Sequence, residues 1–216
     1  MPYQRDPQSI YAESRGLIAR ALEYHHFSPD ELVIVERMVQ ASADLDYAEA
    51  TIFQGDAVTK GVEALRAGAD LVVDVEMVRV GLEQERLAQF GGPIRCAIQD
   101  PDVKAQAVAL GTTRASVGIE KAVRGTTGCI IVIGNAPTAL LTVVELIGAG
   151  HLRPSLVIGM PVGFVLAAES KEALLQTKVP CIVCRGRKGG SAVALGALHG
   201  LLDLAERVAL RSGNEG

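Results

Sequence analysis

The chain has 216 residues, 49% of them hydrophobic and 21% charged, with a formal net charge of −4. That balance allows a substantial folded core and excludes a disordered chain. With no tryptophan, 4% aromatic residues and no basic block, the chain lacks base-stacking platforms and a polyanion-binding surface, so no nucleic-acid partner is expected.

The N-terminal stretch MPYQRDPQSIYAESRG has no apolar core and does not read as a secretory signal. Two helices are expected before the first strand. The second opens at SPDE, with Ser28 as N-cap, Pro29 at the first helical position and Glu31 completing a capping box. Along it Leu32, Val35, Met38 and Val39 gather on one side, while Gln40 falls with Glu36 and Arg37 on the other. Periodicity alone therefore puts Gln40 on a solvated face. In ADLDYAEA, Asp44, Asp46 and Glu49 raise the idea of a divalent cation, yet the glycine and final glutamate of a calcium loop are missing. Capping of a following helix accounts for them at less cost. His25 and His26, adjacent in YHHF, diverge if they lie on a helix, and His151 and His199 stand alone, so no metal is expected.

Beyond residue 56, short apolar runs alternate with helical patterns. Strands are expected at 70–75, 94–98, 128–134, 154–160 and 179–184, as continuous apolar runs suited to parallel strands covered on both faces. Helices are expected near 56–67, 100–109, 113–124, 136–149 and 169–176, with SAVALGALHGLLDLAERVAL closing the chain. At residues 100–102, DPD repeats the cap-then-proline start. This alternation implies a three-layer α/β/α fold with a mainly parallel sheet, and with no linker or repeat, a single domain over residues 1–216. The most apolar region, 129–150, is broken by Gly134, Asn135, Pro137 and Glu145, short of the roughly 20 residues of a membrane span. A soluble, cytoplasmic protein without a membrane partner is expected. Cys181 and Cys184 have C-x-x-C spacing inside a strand-like run, where side chains three apart point to opposite faces, and no second Cys/His pair completes a metal site. They read as buried free thiols.

Three connections leave the carboxyl ends of strands: IGNAPTAL, IGMPVGFVLAAESKEAL and CRGRKGGSAVALG. Ligands of open parallel sheets bind beyond that edge, and glycines and helix N-termini there favour negative charge. Arg185, Arg187, Lys188 and Ser191 add donors at the third connection. The set describes a site for an anion with several negative groups, against the plainer alternative of ordinary turns with solvated arginines. Neither a phosphate-binding loop nor a dinucleotide fingerprint is present, which leaves a nucleotide enzyme unsupported. Thr112, Thr113 and Arg114 in GTTRASVGIE fit either helix capping or an anion contact.

Taken in order from about residue 3 to residue 205, RDPQSIYAES, RMVQASADLDYA, DVEMVRVG, TRASVGIE, VIGNAPTALLTVVELI, RPSLVIGMPVGFVLAAESKEAL and GRKGGSAVALGAL resemble the precorrin-8X methylmutase family, also found in a cobalt-precorrin-8 form. The resemblance implies an isomerase of cobalamin biosynthesis that moves a methyl group from C-11 to C-12 of a corrin-type macrocycle, giving hydrogenobyrinic acid or its cobalt counterpart. It further implies an α/β/α fold, no separate cofactor, and a homodimer with the site at the subunit interface. The substrate's acetate and propionate carboxylates would answer the anion-friendly loops. By the same resemblance, Ser14 matches a serine near the substrate, Arg114 an arginine facing the macrocycle, and GNAPTAL and GRKGGS family loops; from those loops we infer that Asn135, Arg187 and Lys188 meet substrate carboxylates. The departure is Gln40, where the family motif carries a histidine proposed as proton donor. Two expectations stay open: an active methylmutase whose proton donor is absent or replaced, and a corrinoid-binding protein with little turnover.

Overall fold

The structure, a computed structural model, describes residues 3–90 and 92–213. Helix α1 (Pro7–Ala21) begins after Asp6, whose carboxylate accepts the Ser9 N–H. Helix α2 (Pro29–Ser42) starts on the expected capping box, with Ser28 and Glu31 satisfying each other's backbone N–H groups. It ends at Ala43, which takes a left-handed conformation with φ 54°. The short α3 (Asp46–Ala50) runs straight into β1 (Thr51–Gln54), a strand not expected from the sequence. Four residues with polar ends carry too little periodicity to show as a strand.

The rest alternates: α4 (Ala57–Arg66), β2 (Leu71–Val73), α5 (Glu76–Val80), α6 (Gln84–Ala88), β3 (Ile94–Arg95), α7 (Pro101–Leu110), α8 (Arg114–Ala122), β4 (Ile130–Ile133), α9 (Pro137–Gly148), β5 (Leu156–Gly159), α10 (Ala167–Leu175), β6 (Cys181–Cys184) and α11 (Ser191–Gly213). The one-turn helices α5 and α6 were not expected, and the run 94–98 pairs only through Ile94 and Arg95. His25 and His26 lie in the turn after α1 rather than on a helix, with the His25 ring stacked on Phe27 at 6.0 Å.

The six strands form one sheet in the order β1-β6-β5-β4-β2-β3, parallel throughout except for β1, which pairs antiparallel with β6 at one edge. The expected mainly parallel α/β/α architecture is what the chain adopts. Strand side chains alternate between two cores, as a pleated strand requires. Ile130, Val132, Leu156, Ile158 and Ile182 join α2, α4, α5 and α11 on one face. On the other, Ile131, Ile133, Val157 and Val183 join α8, α9 and α10. Cys181 and Cys184 fall on opposite faces, as their spacing implies, and both are buried free thiols whose pKa burial pushes up, for Cys181 to about 12.

This layering positions the site. The chain leaves β5 into α10 on one face and β6 into α11 on the other, so adjacent parallel strands part at their carboxyl ends. Such a parting opens a crevice at the sheet edge. Among the described residues no helix is long and apolar enough to cross a membrane.

Candidate active site

The three glycine-rich connections meet at one sheet edge, as expected from β4, β5 and β6 being parallel neighbours. They also touch. Gly190 donates to the Met160 carbonyl at 2.9 Å, and Gly163 donates to that of Arg187 at 3.2 Å. A Cβ on Gly134 would lie 2.8 Å from the Ser191 Cα, and one on Gly189 2.7 Å from the Pro161 carbonyl oxygen. Any side chain at either position would pry the loops apart.

Two buried ions hold these loops. Asp74, at the end of β2 and 3% exposed, accepts the N–H groups of Gly134 (3.0 Å), Asn135 (2.9 Å) and Ala136 (2.9 Å). Burial raises its pKa, opposed by those three bonds, all of which it accepts and which therefore favour the carboxylate. The consequence corrects the expectation for GNAPT: its backbone donors are spent inward on Asp74, so this loop offers a ligand its side chains. The second ion is Lys171 on α10, fully buried, whose ammonium donates to the carbonyls of Gly186 (2.8 Å) and Lys188 (2.6 Å). Burial lowers its pKa to about 8. Neither residue was singled out from the sequence. The signals were a carboxylate closing the apolar run LVVD, and a lysine on the buried stripe Ala167, Ser170, Lys171 and Leu174.

Of the cations in the β6–α11 loop, two are already paired. Arg185 meets Glu172 at 2.8 Å, and the Lys188 ammonium lies 2.5 Å from Asp44 and 2.6 Å from Asp46. Those two carboxylates hold the Lys188 pKa above its ordinary range, and the Lys188 hydrogen bond in turn holds Asp44 low. The capping role expected for Asp44 and Asp46 is thus largely replaced by this ion triad; Asp44 keeps one local bond, to the Asp46 N–H at 3.0 Å, and α3 has no side-chain cap. Among the described residues no cluster of acids, histidines or cysteines is placed to hold a metal. Tyr47 reinforces the same joint, its hydroxyl both donating to the Gly189 carbonyl and accepting the Gly189 N–H at 3.1 Å. Arg187 remains exposed and without an ion pair among the described residues, its guanidinium 5.7 Å from the centre of the Phe164 ring.

Across the edge, Arg114 is the first residue of α8, exposed and likewise without an ion pair among the described residues. Thr113 caps that helix by accepting the Ser116 N–H, and its hydroxyl lies 2.8 Å from that of Thr138 at the start of α9. Capping is therefore the role of Thr113, and it sets Arg114 close to the loop that carries the exposed Asn135. Asn135 follows β4 and Arg187 follows β6, two strands apart, or roughly 10 Å at the usual strand spacing.

Gln40 corrects the helical-wheel reading. It is half-buried, because α1 packs over the α2 face that would otherwise be solvated. Ser14 from α1 and Gln40 line one pocket of 370 Å³ with Leu17, Ile18, Ala21, Val39, Ala43 and Leu45. The pocket adjoins the β6–α11 loop, since its lining residues Ala43 and Leu45 flank Asp44, which grips Lys188, and Tyr47 just beyond grips Gly189. The structure thus brings Ser14 and Gln40 to one pocket and sets Arg114 on a helix whose cap meets the start of α9, just after Asn135, with Lys188 held by Asp44 beyond the end of α2. None of the residues lining that pocket is an acid, a base, a tyrosine or a cysteine.

Comparison with known proteins identifies the family. The family model described as precorrin-8X methylmutase matches residues 9–204. A cobalt-precorrin-8 methylmutase of Priestia megaterium is 44% identical over 205 residues, spanning 95% of this chain and 91% of the relative. A precorrin-8X methylmutase of a Sinorhizobium species is 38% identical over 201 residues, spanning 92% and 95%. The crystal structure of precorrin-8X methylmutase from Thermus thermophilus superposes with a TM-score of 0.85 at 44% identity, covering 92% of this chain and 96% of that one. With sequence and fold matched over nearly its whole length, this chain belongs to the precorrin-8X methylmutase family.

Proposed function

We propose that residues 1–216 act as one methylmutase domain, an isomerase that shifts a methyl group from C-11 to C-12 of precorrin-8X or cobalt-precorrin-8 in cobalamin biosynthesis. The carrying observation is the family match over residues 9–204 joined to a site edge that offers two cations, Arg114 and Arg187, without an ion pair among the described residues, to a polycarboxylate macrocycle. Asn135 adds a neutral donor beside Arg114, and Lys188 reaches a carboxylate by exchanging its partners Asp44 and Asp46. Ser14 and Gln40 face the ring system from the α1–α2 pocket, whose Leu17 and Leu45 supply apolar walls. The methyl shift is internal to the substrate, so the protein's task is to bind, orient and stabilise changing charge on the ring.

The subunits pair, with the site at their interface. Supporting this are the half-exposed Leu17 and Leu45 on the pocket wall, and the run Val162, Phe164, Val165 and Leu166, of which Phe164 is 85% exposed. A second subunit would cover both. The second reading, a corrinoid binder with little turnover, is favoured by one observation: Gln40 stands where the family resemblance places the proton-donor histidine, and glutamine cannot deliver a proton near neutral pH. Incubation of the pure protein with precorrin-8X, and separately with its cobalt form, followed by visible absorption, decides between them. Conversion of either substrate establishes the isomerase; binding without conversion establishes the second reading.

A further inference from the structure

Lys171 carries a charge where an apolar residue would fill the space. Its side chain is fully buried on the inward stripe of α10, and no carboxylate pairs with it among the described residues. An ammonium removed from water without a counter-ion is costly, so its two hydrogen bonds must do something a leucine would not. Both acceptors belong to the β6–α11 loop, and they bracket one residue: the carbonyl of Gly186 at 2.8 Å before Arg187, and the carbonyl of Lys188 at 2.6 Å after it. Arg187 is fixed from outside as well, its own carbonyl accepting the Gly163 N–H at 3.2 Å and its guanidinium lying over Phe164. Of the three cations in this loop, Arg185 and Lys188 are spent in ion pairs, which leaves Arg187 as the one turned to solvent without an ion pair among the described residues.

We propose that Lys171 is a positioning residue: its buried ammonium clamps the backbone on both sides of Arg187 and so presents the Arg187 guanidinium to a substrate carboxylate. Lys171 itself has no route to the substrate, and its whole effect on binding passes through Arg187. The charge strengthens the clamp, because a hydrogen bond from an ammonium is stronger than one from a neutral donor. The proposal rests on the corrinoid-binding reading above.

Titration with hydrogenobyrinic acid, the stable product, tests it in the full-length protein. Lys171→Met, close in shape but without donors, should weaken binding by about 10–100-fold, the size of a lost charge-assisted contact. Lys171→Gln, which keeps two N–H donors, should recover most of that loss. On an Arg187→Ala background the Lys171→Met change should add less than about threefold, since residues acting as one unit are not additive. Wild-type affinity in a folded Lys171→Met protein, or the same fold-loss with and without Arg187, overturns the proposal. If Lys171→Met does not fold, Lys171→Arg replaces it: the larger fork displaces the loop, so weakened binding only where Arg187 is present supports the clamp, and unchanged or additive behaviour refutes it. Failure of the wild-type protein to bind hydrogenobyrinic acid at all would instead strike the corrinoid reading.

Discussion

At the scale of single residues, we propose that Gln40 limits how fast this protein turns over. A positioned general acid contributes about 10²–10⁴-fold, and histidine, with an unperturbed pKa near 6.5, suits that role where glutamine does not. Gln40→His is therefore expected to raise the single-turnover rate by up to that factor, measured across pH 5 to 8 in both proteins. Family-like speed in the unaltered protein, with a group titrating near pH 6 to 7, would mean that another residue supplies the proton. His25 and His26 would then be replaced first. Arg114 belongs to the same scale. It is exposed at the α8 N-terminus and without an ion pair among the described residues, so its guanidinium is free for a carboxylate. Arg114→Ala should weaken corrinoid binding by about 10–100-fold, and an unchanged titration curve would remove it from the site.

At the scale of elements, the loops of the candidate site are held by side chains from outside them. The β4–α9 turn gives three consecutive N–H groups to Asp74, which anchors it to β2 across the sheet edge. Asp74→Asn sets an amide N–H₂ against at least one of those N–H groups. It should lower unfolding free energy by about 1–3 kcal/mol in urea titrations. A variant as stable as the wild type would mean that the turn finds its shape without the carboxylate. The helix pair α2–α11 is equally close-fitting: a Cβ on Gly196 would lie 2.8 Å from the Arg37 carbonyl oxygen. Gly196→Ala must push α2 outward, at a cost of about 1–3 kcal/mol for overpacking, and α2 carries Gln40. Lower thermal stability together with weaker corrinoid binding is expected, and a loss of stability alone would show that the pocket tolerates the shift.

At the scale of the whole molecule, pairing and charge are expected to govern binding. The exposed apolar run at 162–166 and the open Gln40 pocket lead us to expect a homodimer in sedimentation equilibrium. Phe164→Asp should shift that equilibrium towards monomer, because a charge on a dry contact leaves an unpaired carboxylate behind. A monomeric wild type would place the site within one subunit. Arg114 and Arg187 are exposed, so their attraction for carboxylates is screened by ions. Corrinoid affinity should fall between low salt and about 0.5 M salt, and a flat response would assign binding to apolar contact instead.

Much of this protein was written in local pattern. Continuous apolar runs at 130–133, 156–159 and 181–184 announce buried parallel strands, since only strands covered on both faces are apolar throughout. Ser28, Pro29 and Glu31 place the start of α2 because capping is a contest among neighbours in sequence. The family motifs, being long and ordered, carried the identity. Local pattern does not report contacts between distant segments. Helical periodicity put Gln40 in solvent because it sees one helix, while α1, packed across α2, turned that face into a pocket wall. Lys188 looked free and Asp44 looked like a cap until the fold set residues 144 positions apart against each other. Asp74 fell within an expected strand and Lys171 within an expected helix, and neither was singled out. Only the tertiary structure, by burying each beside a loop with unmet backbone groups, makes one an acceptor for three N–H groups and the other a donor to two carbonyls.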